Sequence, residues 1–277
     1  MSQIYIEYIF KINPPQPASE ILIAELGLVN FESFVETETG VKAYIQKKDW
    51  YPTILEDVFI LTSETFTITN TFKEIEQVNW NLEWEKNFSP IKINETCVIR
   101  APFHKPFGVK YELIIEPKMS FGTGHHETTH MMIEFILEGN FEGRRVLDMG
   151  CGTAVLAILA EKRGAISVEA IDIDNWCYLN SIENIERNNC KNINVFEGDA
   201  ALLTNKKYDT IIANINRNIL LNDMAKYVSC LSKEGELFLS GFLKEDFQII
   251  TECCNKFDLT FVESKEHNKW ISAKYVY

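Results

Sequence analysis

The run Val146-Leu147-Asp148-Met149-Gly150-Cys151-Gly152-Thr153-Ala154 decides how the rest of the chain is read. An apolar strand enters a glycine turn, and a helix opens directly after it. Gly150 and Gly152 let the backbone turn tightly and approach a ligand with no side chain in between. The helix that follows offers unpaired N–H groups and the positive end of its dipole. Such an end can hold a phosphate or a carboxylate.

Working outward, short apolar runs recur at 145–150, 167–174, 193–199, 208–214 and 235–240. Helical segments separate them. Strands alternating with helices predict an α/β domain with a parallel sheet and crossover helices, Rossmann-like in architecture. Two preliminary strands are expected at 96–100 and 111–115. An antiparallel pair is expected at 258–265 and 268–276.

The first 70 residues read differently. Ile4, Ile6 and Tyr8 alternate as a half-buried strand requires. Pro14, Pro15 and Pro17 follow. Ser19 can then cap a helix carrying Ile21, Leu22 and Leu26 and ending at Gly27. Strands are expected at 30–38 and 41–47 around a turn with Gly40. A second helix is expected at 52–61 and a last strand at 65–70. That β-α-β-β-α-β order predicts a small α+β ferredoxin-like domain over 1–72. A charged run with Trp80 and Trp84 predicts a linker helix over 73–92. The larger domain then covers 93–277.

Composition bounds the function. The chain has 277 residues, 46% hydrophobic and 24% charged, which suits a globular protein of one or two domains. No run reaches the roughly 18 apolar residues of a membrane span. The N-terminal run lacks a basic region and a cleavage site, so the cytoplasm is expected. Seven cysteines, an odd number without a C-x-x-C pair, argue for reduced thiols rather than a disulfide framework. The net charge of −13 repels a phosphate backbone and favours a basic protein partner. Neither a membrane partner nor direct nucleic-acid binding is expected.

The ligand of the glycine turn can be narrowed. A dinucleotide fingerprint would place its last glycine at Val155, so a pyrophosphate is disfavoured. The methyltransferase pattern, an acid followed by G-x-G-x-G, fits Asp148, Gly150 and Gly152, with Ala154 in the last place. Alanine is acceptable there if its φ is negative. Asp172 lies 22 positions after Gly150, where a strand-end carboxylate can accept bonds from ribose hydroxyls. Asp174, nearer the next helix, suits the helix cap better. Asp199 can either reach an adenine amino group or cap its own turn.

His126-Glu127-Thr128-Thr129-His130 spells H-E-x-x-H, a zinc-protease pattern when it lies on a helix. A third ligand should follow, yet the next histidine is His267. No metal site is assigned. Phe121-Gly122-Thr123-Gly124 reads instead as a flexible loop feeding a capped helix.

These motifs together carry a resemblance. The segments 119–129, 145–165, 170–174, 211–215 and 237–243 resemble the methyltransferase family that modifies the eleventh protein of the large ribosomal subunit. The resemblance spans about 95–277, with a looser match before it. It implies a substrate-recognition domain on a linker and a class I methyltransferase domain using S-adenosylmethionine. It implies methyl transfer to lysine and N-terminal amines of a basic ribosomal protein by a monomer. It places cofactor contacts on Thr129, Gly150, Asp172 and Asn214, and assigns no general base. Asn216 stands where an apolar residue is common, which bears on the substrate-side lip. A methyltransferase for RNA or a small molecule is the alternative reading, with the zinc protease as a remote one. A binding module without turnover is the third.

Overall fold

The computed structural model describes residues 4–76 and 88–277. The chain divides into two compact units, Met1–Asn87 and Phe88–Tyr277.

The first unit is a four-stranded antiparallel sheet. Its strands are β1 (Ile4–Asn13), β2 (Ser33–Thr37), β3 (Gly40–Gln46) and β4 (Thr67–Glu76), in the order β2-β3-β1-β4. This is the ferredoxin-like order expected from the element sequence. Ile6, Tyr8, Phe10 and Ile12 alternate along β1 and bury together with Leu22 and Leu26 of helix α1 (Ala18–Leu28). On the alternate positions, Glu7 accepts a hydrogen bond from the Tyr44 hydroxyl and pairs with Lys73.

Several expected boundaries need correction. Helix α1 starts after Pro17 without a side-chain cap, Ser19 is buried inside it, and Gly27 lies within its last turn. The second helix is two short 3-10 turns, Ile54–Asp57 and Phe59–Thr62. Val58 between them is extended at φ −103, ψ 94, because Ile54, Val58 and Ile60 all turn inward and a regular helix cannot keep that spacing on one face. Residues 73–76 are strand, not linker helix. Strand β4 pairs with β1 along its whole length, from Thr67 opposite Asn13 to Glu76 opposite Ile4. Residues 77–87 of the expected linker, with Trp80 and Trp84, lie outside the described residues, and its last two positions, 91 and 92, open a strand rather than continue a helix.

The second unit opens with a three-stranded sheet, β5 (Ile91–Asn94), β6 (Cys97–Arg100) and β7 (Tyr111–Ile114). Then follow α2 (Glu127–Glu138), β8 (Arg145–Met149), α3 (Val155–Lys162), β9 (Ser167–Asp172), α4 (Asn175–Arg187) and β10 (Ile193–Glu197). The chain continues through β11 (Tyr208–Asn214), α5 (Arg217–Cys230), β12 (Leu231–Leu243), α6 (Phe247–Asn255), β13 (Thr260–His267) and β14 (Trp270–Val276). The main sheet has seven strands in the order β10-β9-β8-β11-β12-β14-β13. Strands β8 to β12 run parallel, and β14 lies antiparallel between β12 and β13. That tail is the antiparallel pair expected from the sequence. Its turn is two residues long, Asn268 and Lys269, both left-handed at φ 48 and 70.

Strands β8 and β11 are buried along almost their whole length, as a sheet covered on both faces demands. One apolar cluster joins α2 and α3 to the sheet, and a second joins α5 and α6. The strand order reverses between β8 and β11. In open α/β sheets the crevice at that point, outside the carboxyl ends of the strands, is where ligands bind. Among the described residues, no helix is long and apolar enough to cross a membrane.

Candidate active site

A cleft of about 540 Å³ opens at that reversal. Its lining comes from the carboxyl ends of β8, β9, β10 and β11, the loop before α2, the start of α5 and the first residue of β14.

The glycine turn forms one wall. Gly150 stands at φ 72, a left-handed conformation that a side chain disfavours. Gly152 is required by approach. A Cβ there would overlap the Phe121 carbonyl oxygen, so the 121–124 loop lies directly on the turn. Ala154 adopts φ 62, ψ 22, so the negative φ under which an alanine fits without strain is not met. Its methyl is fully buried in the cluster beneath α3, so packing holds an alanine in a conformation that favours glycine.

Asp172 ends β9 and is 8% exposed. Its Oδ2 accepts from the Gly152 N–H at 2.8 Å and its Oδ1 from the Asp174 N–H at 3.1 Å. The carboxylate is thereby fixed across the turn while still lining the cleft. Asp174 occupies the cap position of α4 as expected but makes no side-chain cap hydrogen bond, and its own N–H is held by Asp172. Of the two roles expected for Asp199, the cap of its own turn is formed. It accepts from the Ala201 N–H at 2.7 Å and lines the cleft.

Asp148 lies behind the turn, 1% exposed. Its Oδ2 accepts from the Ala157 N–H at 3.0 Å, while its Oδ1 has no partner. Burial pushes its pKa up to about 7, and the negative charge of Asp172 adds to the rise.

Asn214 ends β11 and is 9% exposed. Its Nδ2 donates to Thr129 Oγ1 at 3.5 Å, and its buried Oδ1 has no partner among the described residues. An unpaired buried carbonyl oxygen is costly, and this one can accept a donor. Thr129 itself is 1% exposed and stands behind Asn214, outside the cleft lining, while its neighbour Thr128 reaches the lining.

Among the described residues, the two motif histidines do not fall within a group at metal-ligand spacing. His126 caps α2 from an extended backbone, φ −79 and ψ 140, and its Nδ1 accepts from the Thr128 N–H at 3.2 Å. Its ring packs edge-on against Trp270 at 4.8 Å. Among the described residues, the one group with metal-ligand spacing is Asp172, Asp174 and Cys177, not the two motif histidines.

Sequence reading located Gly150, Asp172 and Asn214 on the cleft but missed Trp270, Ile219 and Asp223. Trp270 had a signal, an aromatic residue just after a polar turn. Asp223 had none, since a charged residue on an amphipathic helix reads as solvated surface. Asn216, expected to bear on the lip, does line the cleft, and it also caps α5 by accepting from the Ile219 N–H at 3.2 Å.

The family model described as "Ribosomal protein L11 methyltransferase" matches residues 18–276. The chain belongs to the ribosomal protein L11 methyltransferase family. It is 48% identical over 278 residues to the ribosomal protein L11 methyltransferase of Bacteroides thetaiotaomicron, covering 99% of each chain. The corresponding protein of Bacteroides fragilis is 47% identical over 277 residues, with 98% of this chain and 99% of that one covered. A solved structure of ribosomal protein L11 methylase from Lactobacillus delbrueckii subsp. bulgaricus superposes with a TM-score of 0.63 at 25% identity. It covers 68% of this chain and 98% of that one. The L11 methyltransferase family model thus spans both units, and the seven-stranded unit is the Rossmann-like class I methyltransferase domain.

Proposed function

We propose that the chain transfers methyl groups from S-adenosylmethionine to lysine and N-terminal amines of the large-subunit ribosomal protein L11. The observation that carries this reading is the unpartnered Asn214 Oδ1 at the cleft end of β11. Four aspartates, 172, 174, 199 and 223, line the cleft and no lysine or arginine does, which favours cationic ligands. A sulfonium and an amine both meet that description.

When bound, S-adenosylmethionine supplies a methyl carbon activated by its sulfonium. Gly150 and Gly152 leave room for the cofactor backbone, and Asp172 receives the ribose hydroxyls. Asn214 Oδ1 accepts from an ammonium or amine N–H, and Thr129 holds that amide in place. Met149, Ile173 and Trp176 supply apolar wall. Apolar surroundings lower a lysine pKa from its usual value of about 10.4, which helps the amine lose its proton. No side chain is assigned as a general base. The first unit serves substrate recognition. The cytoplasm is the proposed compartment, supported by free cysteines at all seven positions.

The test is calorimetric titration with S-adenosylmethionine, followed by mass spectrometry of L11 after incubation. Asp172→Ala should weaken binding by about tenfold or more, the value of one lost charge-assisted pair. Asn214→Ala should remove methyl transfer. Methylation of RNA with no mass shift on L11 would establish the alternative instead.

A further inference from the structure

The loop before α2 and the glycine turn are joined by one side chain that does not line the cleft. Thr153 is fully buried. Its Oγ1 donates to the Gly122 carbonyl at 2.7 Å, and its N–H donates to the Phe121 carbonyl at 2.9 Å. Its own carbonyl accepts from Asn184 Nδ2 at 3.0 Å, and Asn184 Oδ1 accepts from the Glu116 N–H at 2.8 Å. The turn is therefore tied to both ends of the segment 116–122. That segment carries Met119 and Phe121, which are 95% and 49% exposed and form a wall of the cleft. No apolar core holds either side chain down, so polar bonds must place the loop.

We propose that Thr153 is the positioning residue that holds the 121–124 loop against the glycine turn at the wall of the cleft. The inference rests on the reading of that cleft as an S-adenosylmethionine site. Loop and turn then act as one unit. A ligand that fits the turn finds the loop wall already in place, and a turn without the staple leaves that wall loose. Thr153 acts through Phe121 and Gly122, not by contact with the ligand. The loop side offers an independent probe. A Cβ on Gly122 would stand 2.8 Å from Thr153 Oγ1 and on a backbone at φ 98, so Gly122→Ala strikes the same contact from across it while straining the loop itself.

The experiment uses the full-length protein and its Thr153→Val, Thr153→Ser and Gly122→Ala variants. Amide hydrogen exchange over 118–124 is measured without ligand, and S-adenosylhomocysteine affinity is measured by calorimetry. In Thr153→Val, loop exchange should rise and affinity should fall, each by roughly tenfold, the effect of one lost buried hydrogen bond. Thr153→Ser, which keeps the hydroxyl, should restore both. Gly122→Ala should give the same pair of changes, and the double variant should lose less than the sum of the two. A role in stability alone would lower the melting temperature and leave affinity at 25 °C unchanged. That result, or additive losses in the double variant, would overturn the inference while leaving the cofactor reading intact. If Thr153→Val does not fold, Gly122→Ala decides between the same outcomes. A wild type that does not bind the nucleoside overturns the cleft reading and this inference with it.

Discussion

Ala154 shows how narrowly single residues are balanced. A left-handed alanine costs about 1–2 kcal/mol. Its buried methyl returns about 0.8 kcal/mol. Replacing it by glycine also loosens the unfolded chain, at a cost of about 0.4–1 kcal/mol. Ala154→Gly should therefore leave stability within about 1 kcal/mol of the parent, measured by urea unfolding. Ala154→Val should destabilise by about 2 kcal/mol or more, since a β-branched residue tolerates positive φ poorly. Asp148 makes a prediction about pH. Burial holds its folded pKa near 7 against an ordinary 3.8, so the folded state binds this proton more tightly than the unfolded chain. Its contribution to stability is complete below about pH 4 and is lost as pH rises through about 7. By scanning calorimetry of the ligand-free protein, the melting temperature should fall relative to that of Asp148→Asn between pH 5 and pH 8. A constant difference between the two proteins would count against the raised pKa.

At the scale of elements, Asn216 joins stability to the site. Its side chain is the N-cap of α5, and the same residue faces the cleft. Asn216→Ala should cost about 1 kcal/mol in chemical denaturation, while Asn216→Ser should cost far less because serine caps as well. The elements themselves were legible where period and length agreed. Strands β8, β9 and β11 carry short apolar stretches leading to the glycine turn, Asp172 and Asn214, so Gly150 and Asp172 could be placed at strand ends from the chain, with Asn214 supplied by the resemblance. The segment 52–61 was not legible, because its apolar residues suit a helix stripe equally well and the break at Val58 is a tertiary effect. Residues 73–76 look charged and helical in isolation, yet β1 beside them recruits them as strand. Local propensity gives way to pairing there. The remaining site residues escaped notice because Trp270 and Asp223 reach the cleft only through sheet order and helix docking. Neither of those is written at their positions.

At the scale of the molecule, each unit has its own core. The cluster around Tyr8 and Leu22 draws on the first unit alone, and the clusters around the main sheet draw on the second. Every residue lining the cleft lies between Met119 and Trp270. A fragment of residues 88–277 should therefore fold and bind S-adenosylmethionine within about threefold of the full chain, by calorimetry, because the described lining and its core belong to that unit. Its rate on L11 should fall steeply if the first unit recognises the substrate. An affinity lost along with the first unit would refute the independence of the cleft. The mouth of the cleft also mixes two kinds of position. At Gly152, overlap with the Phe121 carbonyl leaves no room for a Cβ. Trp270 stands beyond a two-residue turn at the tip of the β13–β14 hairpin, with the His126 ring packed against it. Substitution at the hairpin tip can therefore redraw what is admitted at less cost than substitution at Gly152. Substrate breadth can evolve here without a new nucleoside pocket having to be invented.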